Sequence, residues 1–177
     1  MRLERIDKQV ARAETALAAG LMGGVFLILL IGAGWRSAGH PLAWSDELAV
    51  LLMACAGFFG ASAALASGRH ISVDLLEARL GPRGRARVQG LVRLVLLLAL
   101  AGFALLLWRW FDPLGLLRAE SAQAFAEATF NFVYQEPTVT LGVPKVWAWL
   151  VLIPFCAGSL LHVLAQIARL LRGDAPC

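Results

Sequence analysis

Residues 44–74 have the sequence WSDELAVLLMACAGFFGASAALASGRHISVD, in which an apolar run separates two short polar segments. The run itself, LAVLLMACAGFFGASAALA (48–66), contains no Asp, Glu, Lys or Arg. About 20 such residues, at a rise of about 1.5 Å each, form a helix that crosses the hydrocarbon core of a bilayer. The run therefore predicts a membrane-spanning helix, with WSDEL at one membrane surface and GRHISVD at the other.

Three further runs extend this prediction to the whole chain. They are ALAAGLMGGVFLILLIGAGW (16–35), LVRLVLLLALAGFALLLW (91–108) and VWAWLVLIPFCAGSLLHVLAQI (146–167). Of the 177 residues, 59% are hydrophobic and 16% are charged, whereas soluble domains carry about 25% charged residues. The sequence thus predicts an all-α integral membrane protein, a single domain over 1–177 with four transmembrane helices and amphipathic surface helices.

Basic residues and tryptophans predict the orientation of these helices. Arg and Lys cluster in both terminal tails and in the loop after the second span, so the positive-inside rule makes both termini cytoplasmic. The tryptophans all lie at span ends that this topology places outside: Trp35, Trp44, Trp108, Trp110, Trp147 and Trp149. The loop 109–145 is then also outside. Membrane topology explains the net charge of +4, so no nucleic acid partner is predicted.

Two segments outside the spans are amphipathic. In residues 1–14, Leu3, Ile6 and Val10 recur at helical spacing among basic residues. This pattern predicts a cytoplasmic surface helix that lies on anionic lipid and runs into the first span. Residues 116–133 place apolar and polar side chains on different helical sides. They fit either a helix resting on the membrane or a partner, or a flexible loop.

The polar segments around the second span have structural explanations. Ser45 suits an N-cap, and Asp46 and Glu47 then fall in the first turn, where the helix dipole favours acidic side chains. We expect a basic group on a partner to hold Glu47 as well. After the span, Gly68 suits a helix C-terminus, and His70 suits the lipid headgroups. No catalytic role is predicted for either segment.

Catalytic and cofactor-binding patterns find little support. The sequence has no GxSxG, HExxH or glycine-rich phosphate motif, and Cys55, Cys156 and Cys177 lack the spacing of metal ligands. We therefore predict no enzyme activity, no metal and no cofactor. Of the three histidines, His70 and His162 lie toward the same membrane side. A bis-histidine haem, as in a membrane anchor of a redox enzyme, thus remains an alternative.

The spans carry packing features rather than transport chemistry. None has a charge near its centre, where transport pathways usually place ionisable residues. Pro154 predicts a kink that frees the carbonyl of Leu150. Small residues recur at four-residue spacing in the first two spans: Ala16, Gly20 and Gly24, then Ala56, Gly60 and Ala64. Such stripes serve either internal packing or docking against a larger membrane partner. A self-contained small transporter is a further alternative.

The second span and its flanks resemble the small membrane subunit of tripartite ATP-independent periplasmic (TRAP) transporters. That family's pattern is Trp-x-(Asp/Glu)-Glu, an apolar helix, then His-(Ile/Val)-x-(Val/Ile)-Asp. The matching positions here are Trp44, Asp46, Glu47, Gly60 within the helix, His70, Ile71, Val73 and Asp74. A second segment, TVTLGVPKVW (138–147) followed by Ile153-Pro154, resembles the start of the family's last helix and contributes Gly142, Pro144, Trp147 and Pro154. The loop 111–137 is longer than in typical members.

The resemblance implies a location, partners and a role. It implies a multi-pass protein of the bacterial inner membrane that pairs with a large membrane subunit. The large subunit moves an organic acid or similar solute, driven by sodium, and a periplasmic solute-binding protein delivers that solute. The small subunit is implied to be a scaffold that helps to dock the binding protein. Sodium belongs to the large subunit, so this chain needs no cofactor, and GRHISVD is implied to be a structural motif.

Overall fold

The computed structural model describes residues 2–67 and 81–172, with all side chains in these ranges except those of positions 82, 83 and 86. The described chain is helical apart from loops and an isolated antiparallel bridge between Pro137 and Pro144. Its helices are α1 (Arg2–Ser37), α2 (Ala43–Ser67), α3 (Pro82–Phe111), α4 (Pro113–Arg118), α5 (Ala122–Thr129), α6 (Val146–Trp149) and α7 (Leu152–Leu171). Within the described residues, four helical segments are long and apolar enough to cross a membrane, which confirms the predicted fold class.

Helix α1 continues without a break from the N-terminal tail through the first span. Its 36 residues make it about 54 Å long, well beyond a hydrocarbon core of about 30 Å. The buried residues of α1 are Asp7, Glu14, Val25 and Gly32. Their spacing of two, three and two turns places them on one face. The tail is helical as predicted, but its inward face carries carboxylates, while Ile6 from the apolar pattern is 48% exposed.

The fourth span is divided where the sequence predicted a kink. Pro154 has no N–H to donate to the carbonyl of Leu150. That carbonyl instead accepts from the N–H of Ile153 at 3.2 Å. Helix α6 accordingly ends at Trp149, and α7 begins at Leu152 after a single irregular turn.

Helix α7 lies at the centre of the bundle. It packs against α1, α2 and α3, and α1 also packs along α2. Its buried residues include Ser159, His162, Val163 and Gln166. By contrast, the outer leucines of α1 and α3 are exposed, as Leu30 (59%) and Leu98 (64%) illustrate. In a bilayer such outer faces meet lipid or a partner, whereas the polar side chains of α7 are enclosed by the other helices.

The third loop folds into two short helices rather than one helix over 116–133 or a flexible loop. Helix α5 begins after Ser121, whose hydroxyl caps the N–H of Ala124 at 3.1 Å. Phe125 of α5 is buried against Tyr134, and Leu117 is 81% exposed. The Tyr134 hydroxyl donates to the carbonyl of Phe111. Burial, and secondarily the charge of Asp112, raise the pKa of Tyr134, so this hydroxyl remains a donor.

Candidate functional site

The polar side chains with the most contacts form two groups at opposite ends of the bundle. One group lies where α2 begins, at the same end as the exposed tryptophans Trp35, Trp108 and Trp147. The other lies at the end where α1 begins and α7 ends, and it joins α1, α2 and α7. The first connects the two sequence segments that carry the family resemblance, and the second was not predicted from the sequence.

The first group depends on a tight loop before α6. The loop is closed by the bridge between Pro137 and Pro144 and by a hydrogen bond from Thr138 N to Val143 O at 2.8 Å. Gly142 takes a φ of +70°, a conformation that side chains disfavour. The hydroxyl of Thr138 also accepts from Val143 N at 2.9 Å. These contacts close the base of the loop, and the three successive residues 139–141 at its tip contact Glu47 of α2.

Glu47 receives hydrogen bonds from all three of these residues. One carboxylate oxygen accepts from Val139 N at 2.7 Å, and the other accepts from Thr140 N and Thr140 Oγ1, each at 2.6 Å. The N–H of Leu141 adds a longer contact of 3.2 Å. Successive N–H groups that converge on one carboxylate form an anion-binding concavity. We call Glu47 with residues 139–141 the Glu47 clasp. It fixes the loop before the fourth span to the start of the second.

Within the chain, the donors to Glu47 are backbone amides and one hydroxyl. The expected basic group on a partner stays a prediction. Neighbouring Asp46 does carry an ion pair, but with Arg36 of α1 at 2.9 Å and on the surface. The predicted N-cap at Ser45 is wrong, because α2 begins at Ala43. The Ser45 hydroxyl donates to Leu42 O at 2.8 Å and lies against Gly32, where a Cβ would meet it at 2.8 Å.

The remaining residues of the resemblance occupy varied surroundings. Trp44 and Trp147 are exposed, at 40% and 70%. Gly60 is half-buried in α2, and no atom lies within 4 Å of where its Cβ would stand. Pro144 closes the loop of the clasp, and Pro154 breaks the fourth span. His70, Ile71 and Asp74 of GRHISVD lie outside the described residues.

The second group is a chain of ionisable and polar side chains that the helices enclose. His162 is fully buried, with Nδ1 2.6 Å from Asp7 Oδ1 and Nε2 2.9 Å from Glu14 Oε2. Both carboxylates are 4% exposed. Ser62 of α2 donates to Glu14 Oε1 at 2.8 Å, and Arg169 donates to Asp7 Oδ2 at 3.2 Å. We call Asp7, Glu14, Ser62, His162 and Arg169 the buried polar cluster.

Two neighbours complete the surroundings of this cluster. Gly158 leaves room for the Glu14 carboxylate, because a Cβ there would overlap Glu14 Oε1 and lie 2.9 Å from Ser62 Oγ. Gln166, one turn beyond His162, donates to the carbonyl of Leu65 and accepts from Arg93 at 3.4 Å. Its amide thereby ties α7 to both α2 and α3. The cluster thus joins α1, α2 and α7, and Gln166 beside it adds a polar contact with α3.

The geometry of His162 argues against haem binding by that residue. Axial ligation needs a ring nitrogen with a free lone pair. Both nitrogens of His162 instead face carboxylate oxygens at hydrogen-bonding distance. Within residues 2–67 and 81–172, no group of three or more His, Cys, Asp or Glu side chains has an arrangement suited to a metal ion.

Sequence reasoning missed the buried polar cluster, although part of its signal was present. Asp7 and Glu14 lie seven positions apart, which is two helical turns. His162, Gln166 and Arg169 follow one another at spacings of four and three on α7, also on one face. Each pattern indicates a polar face, but the pairing across about 150 positions of sequence appears only in the fold.

Comparison with known proteins gives one match that covers most of the chain. The family model of the DctQ component of tripartite ATP-independent periplasmic transporters matches residues 25–173. No curated protein and no solved structure matches the chain. The matched range contains every residue of the Glu47 clasp. Asp7 and Glu14 of the buried polar cluster precede it.

Proposed function

Since the chain belongs to the family of the DctQ component of tripartite ATP-independent periplasmic transporters, we propose that it is the scaffold of such a transporter. In this proposal it pairs with a large membrane subunit that carries out sodium-coupled uptake of organic acids or related solutes. It also helps to dock the periplasmic solute-binding protein. The family is a transporter component, and the chain is not an enzyme. The observation that carries the proposal is the family match over residues 25–173.

An open strip of small residues on α1 supports pairing with another membrane subunit. Ala16 and Gly20 are exposed, and no atom lies within 4 Å of a Cβ built at Gly20 or Gly23. Gly24, by contrast, lies beside Leu52 of α2, in ordinary contact. Small residues allow the backbones of two transmembrane helices to approach closely. We propose that this strip of α1 receives a helix of the large subunit.

The distribution of polar groups supports a scaffold rather than a transport pathway. The Glu47 clasp lies at one end of the bundle and the buried polar cluster at the other. Between them, the buried described residues of the long helices are mainly apolar, such as Val25, Ala56, Leu100 and Cys156. Transport pathways usually place ionisable groups near the membrane midplane. A self-contained small transporter is therefore the weaker alternative.

The proposed orientation places the Glu47 clasp outside and both termini in the cytoplasm of a bacterial cell. Arginine distribution and the grouping of exposed tryptophans at the clasp end support it. The clasp then shapes the surface that the binding protein meets. Cysteine labelling from each side of the inner membrane tests this. We expect labels at positions 38 and 139 from outside and at position 85 from inside, and the reverse pattern would contradict the orientation.

Pairing is tested by co-expression with a candidate large subunit from the same genome, followed by purification through a tag on the chain. We expect Gly20→Leu to reduce recovery of the large subunit severalfold, because the leucine occupies the open strip. Gly102→Leu is the matched control, since a Cβ at Gly102 of α3 also meets no atom within 4 Å. Equal recovery with both variants would place the contact elsewhere.

Transport itself is tested in proteoliposomes that contain both membrane subunits. The binding protein, loaded with an organic acid, is added outside them. We expect sodium-dependent uptake that disappears when this chain is omitted. Uptake by this chain alone would contradict the scaffold proposal. Uptake by the large subunit alone at the full rate would do the same.

A further inference from the structure

We propose that the buried polar cluster is a proton-binding site, in which one added proton sits on His162 as imidazolium and fastens α1 to α7. This goes beyond the proposed function, which assigns no ionisable group to the small subunit. The cluster also depends on Asp7 and Glu14, which precede the residues matched by the family model. The inference therefore stands on the contacts of this chain alone.

Counting protons in the two contacts of His162 leads to the proposal. An ionised carboxylate oxygen only accepts hydrogen bonds. Each contact with an imidazole nitrogen therefore requires a proton between the two atoms. The distances are 2.6 Å to Asp7 and 2.9 Å to Glu14, within hydrogen-bonding range. A neutral imidazole carries one N–H and satisfies only one contact. The second contact needs one more proton in the cluster.

The other partners of the carboxylates indicate where this proton lies. Asp7 also accepts from Arg169 at 3.2 Å, and Glu14 also accepts from the Ser62 hydroxyl at 2.8 Å. A donor at the second oxygen favours the ionised carboxylate over the carboxylic acid. Both carboxylates have such a donor, so the proton belongs on the imidazole, whose two N–H groups then each point at one carboxylate.

The charges around the site agree with this assignment. Among the described residues, the two carboxylates contact one guanidinium, that of Arg169, so these contacting groups sum to a charge of minus one unless His162 is charged. Imidazolium makes the sum zero, and an unbalanced buried charge is strongly unfavourable. From α2 the facing group is Ser62, and Arg93 of α3 contacts Gln166, one turn beyond His162. Glu4 and Arg172 pair with each other farther out, at 3.4 Å.

Losing the proton breaks a connection between helices. Asp7 and Glu14 belong to α1, and His162 belongs to α7, so the imidazolium is the group through which both carboxylates hold α7. A folded state that binds more protons than the unfolded state loses stability as pH rises. The proposal therefore implies that removal of the proton weakens the connection between α1 and α7.

The direct test is nitrogen NMR of the full chain, labelled with ¹⁵N-histidine, in lipid nanodiscs at neutral pH. We expect one imidazolium signal that is absent from His162→Gln, with both nitrogens protonated. In Glu14→Gln we expect the same residue to become neutral. Its Nδ1–H then donates to Asp7, and its Nε2 accepts from the new amide. A neutral His162 in the native chain at neutral pH would overturn the proposal, whatever the variants do.

The second test follows thermal unfolding in the same nanodiscs from neutral to alkaline pH. We expect the midpoint of the native chain to fall by several degrees, and that of Glu14→Gln to stay nearly constant, because its contacts need no added proton. Glu4→Gln is the matched control on the same helix, and we expect it to keep the native slope. Parallel slopes for the native chain and Glu14→Gln would overturn the proposal. Failure of co-purification with the large subunit would leave both results unaffected.

Discussion

The Glu47 clasp and the buried polar cluster both use carboxylates to join distant parts of the chain, but they differ in their partners. Glu47 lies at the surface and accepts from backbone N–H groups of a short loop. Asp7 and Glu14 are enclosed by helices and contact ionisable side chains. Backbone donors persist whatever the pH and the neighbouring side chains, whereas the enclosed contacts depend on each member being present and correctly charged.

This difference predicts where the chain tolerates change. Removing one member of an enclosed charged group leaves another charge buried without compensation, which costs far more than the interaction itself contributes. Removing a carboxylate at the surface leaves donors that water can satisfy. Variants in the buried polar cluster should therefore alter the stability of the whole bundle. Variants at the clasp should alter only the order of one loop.

The largest effect is expected for His162→Ala. It removes the partner that Asp7 and Glu14 share and leaves Glu14 with the Ser62 hydroxyl as its remaining described side-chain contact, at a cost of about 3–5 kcal/mol. The free energy of unfolding, from denaturant titration of the chain in mixed micelles, measures this. His40→Ala, in the loop between α1 and α2, is the control and should change it by less than about 0.5 kcal/mol. Equal changes in the free energy of unfolding for the two variants would contradict the larger effect expected in the buried polar cluster.

A smaller loss is expected for Gly158→Ala. The added Cβ overlaps Glu14 Oε1 and crowds Ser62, and such overpacking costs about 1–3 kcal/mol. Gly102→Ala is the matched control, because a Cβ meets no atom within 4 Å there and alanine favours a helix by about 1 kcal/mol over glycine. The two substitutions should therefore change the unfolding free energy in opposite directions. If Gly158→Ala raised the free energy of unfolding, the position of the Glu14 carboxylate beside residue 158 would not be required for stability.

At the clasp, Glu47→Ala should release the loop and leave the helices in place. Val139, Thr140 and Leu141 then lose their acceptor, so their amides should exchange with solvent at least tenfold faster. Hydrogen exchange read by mass spectrometry or NMR measures this. Glu136→Gln, which removes an exposed partner of Lys145, is the control from the same loop and should leave those amides protected. Exchange that also rises in α2 and α7 would mean that the clasp stabilises the whole bundle.

The sequence was sufficient for the spans but not for the contacts between them. Apolar length located all four membrane helices, and the missing N–H of Pro154 predicted the break in the fourth. The N-terminal tail was interpreted from its apolar residues, as a surface helix lying on anionic lipid, and its acidic residues were given no partner. In a membrane bundle, lipid accepts leucine, and polar groups turn inward to find partners. Asp7 and Glu14 turn inward in this way.

The clasp shows the other limit of sequence reasoning. Glu47 of WSDEL was explained by the helix dipole and a basic group on a partner, and TVTLGVPKVW was given only as a resemblance to the start of the family's last helix. Their contact joins residues more than 90 positions apart and uses backbone N–H groups, which every residue except proline has. No side-chain pattern marks such donors. Only the turn at Gly142 and the closure of the loop show that they converge.

The smallest expected effect separates Asp46 from Glu47, which carry the same charge and are adjacent in the sequence. Asp46 pairs with Arg36 at 2.9 Å, but the two side chains are 63% and 61% exposed. Exposed pairs are screened by water and salt and contribute about 0–1 kcal/mol. Asp46→Asn should therefore change the free energy of unfolding by less than about 1 kcal/mol and leave the exchange of Val139 and Thr140 unchanged. The same measurements with Arg36→Gln should give the same result, because either substitution removes the same pair. A loss of loop protection in Asp46→Asn would mean that the two acidic residues act together. The clasp would then depend on local charge rather than on the hydrogen bonds of Glu47.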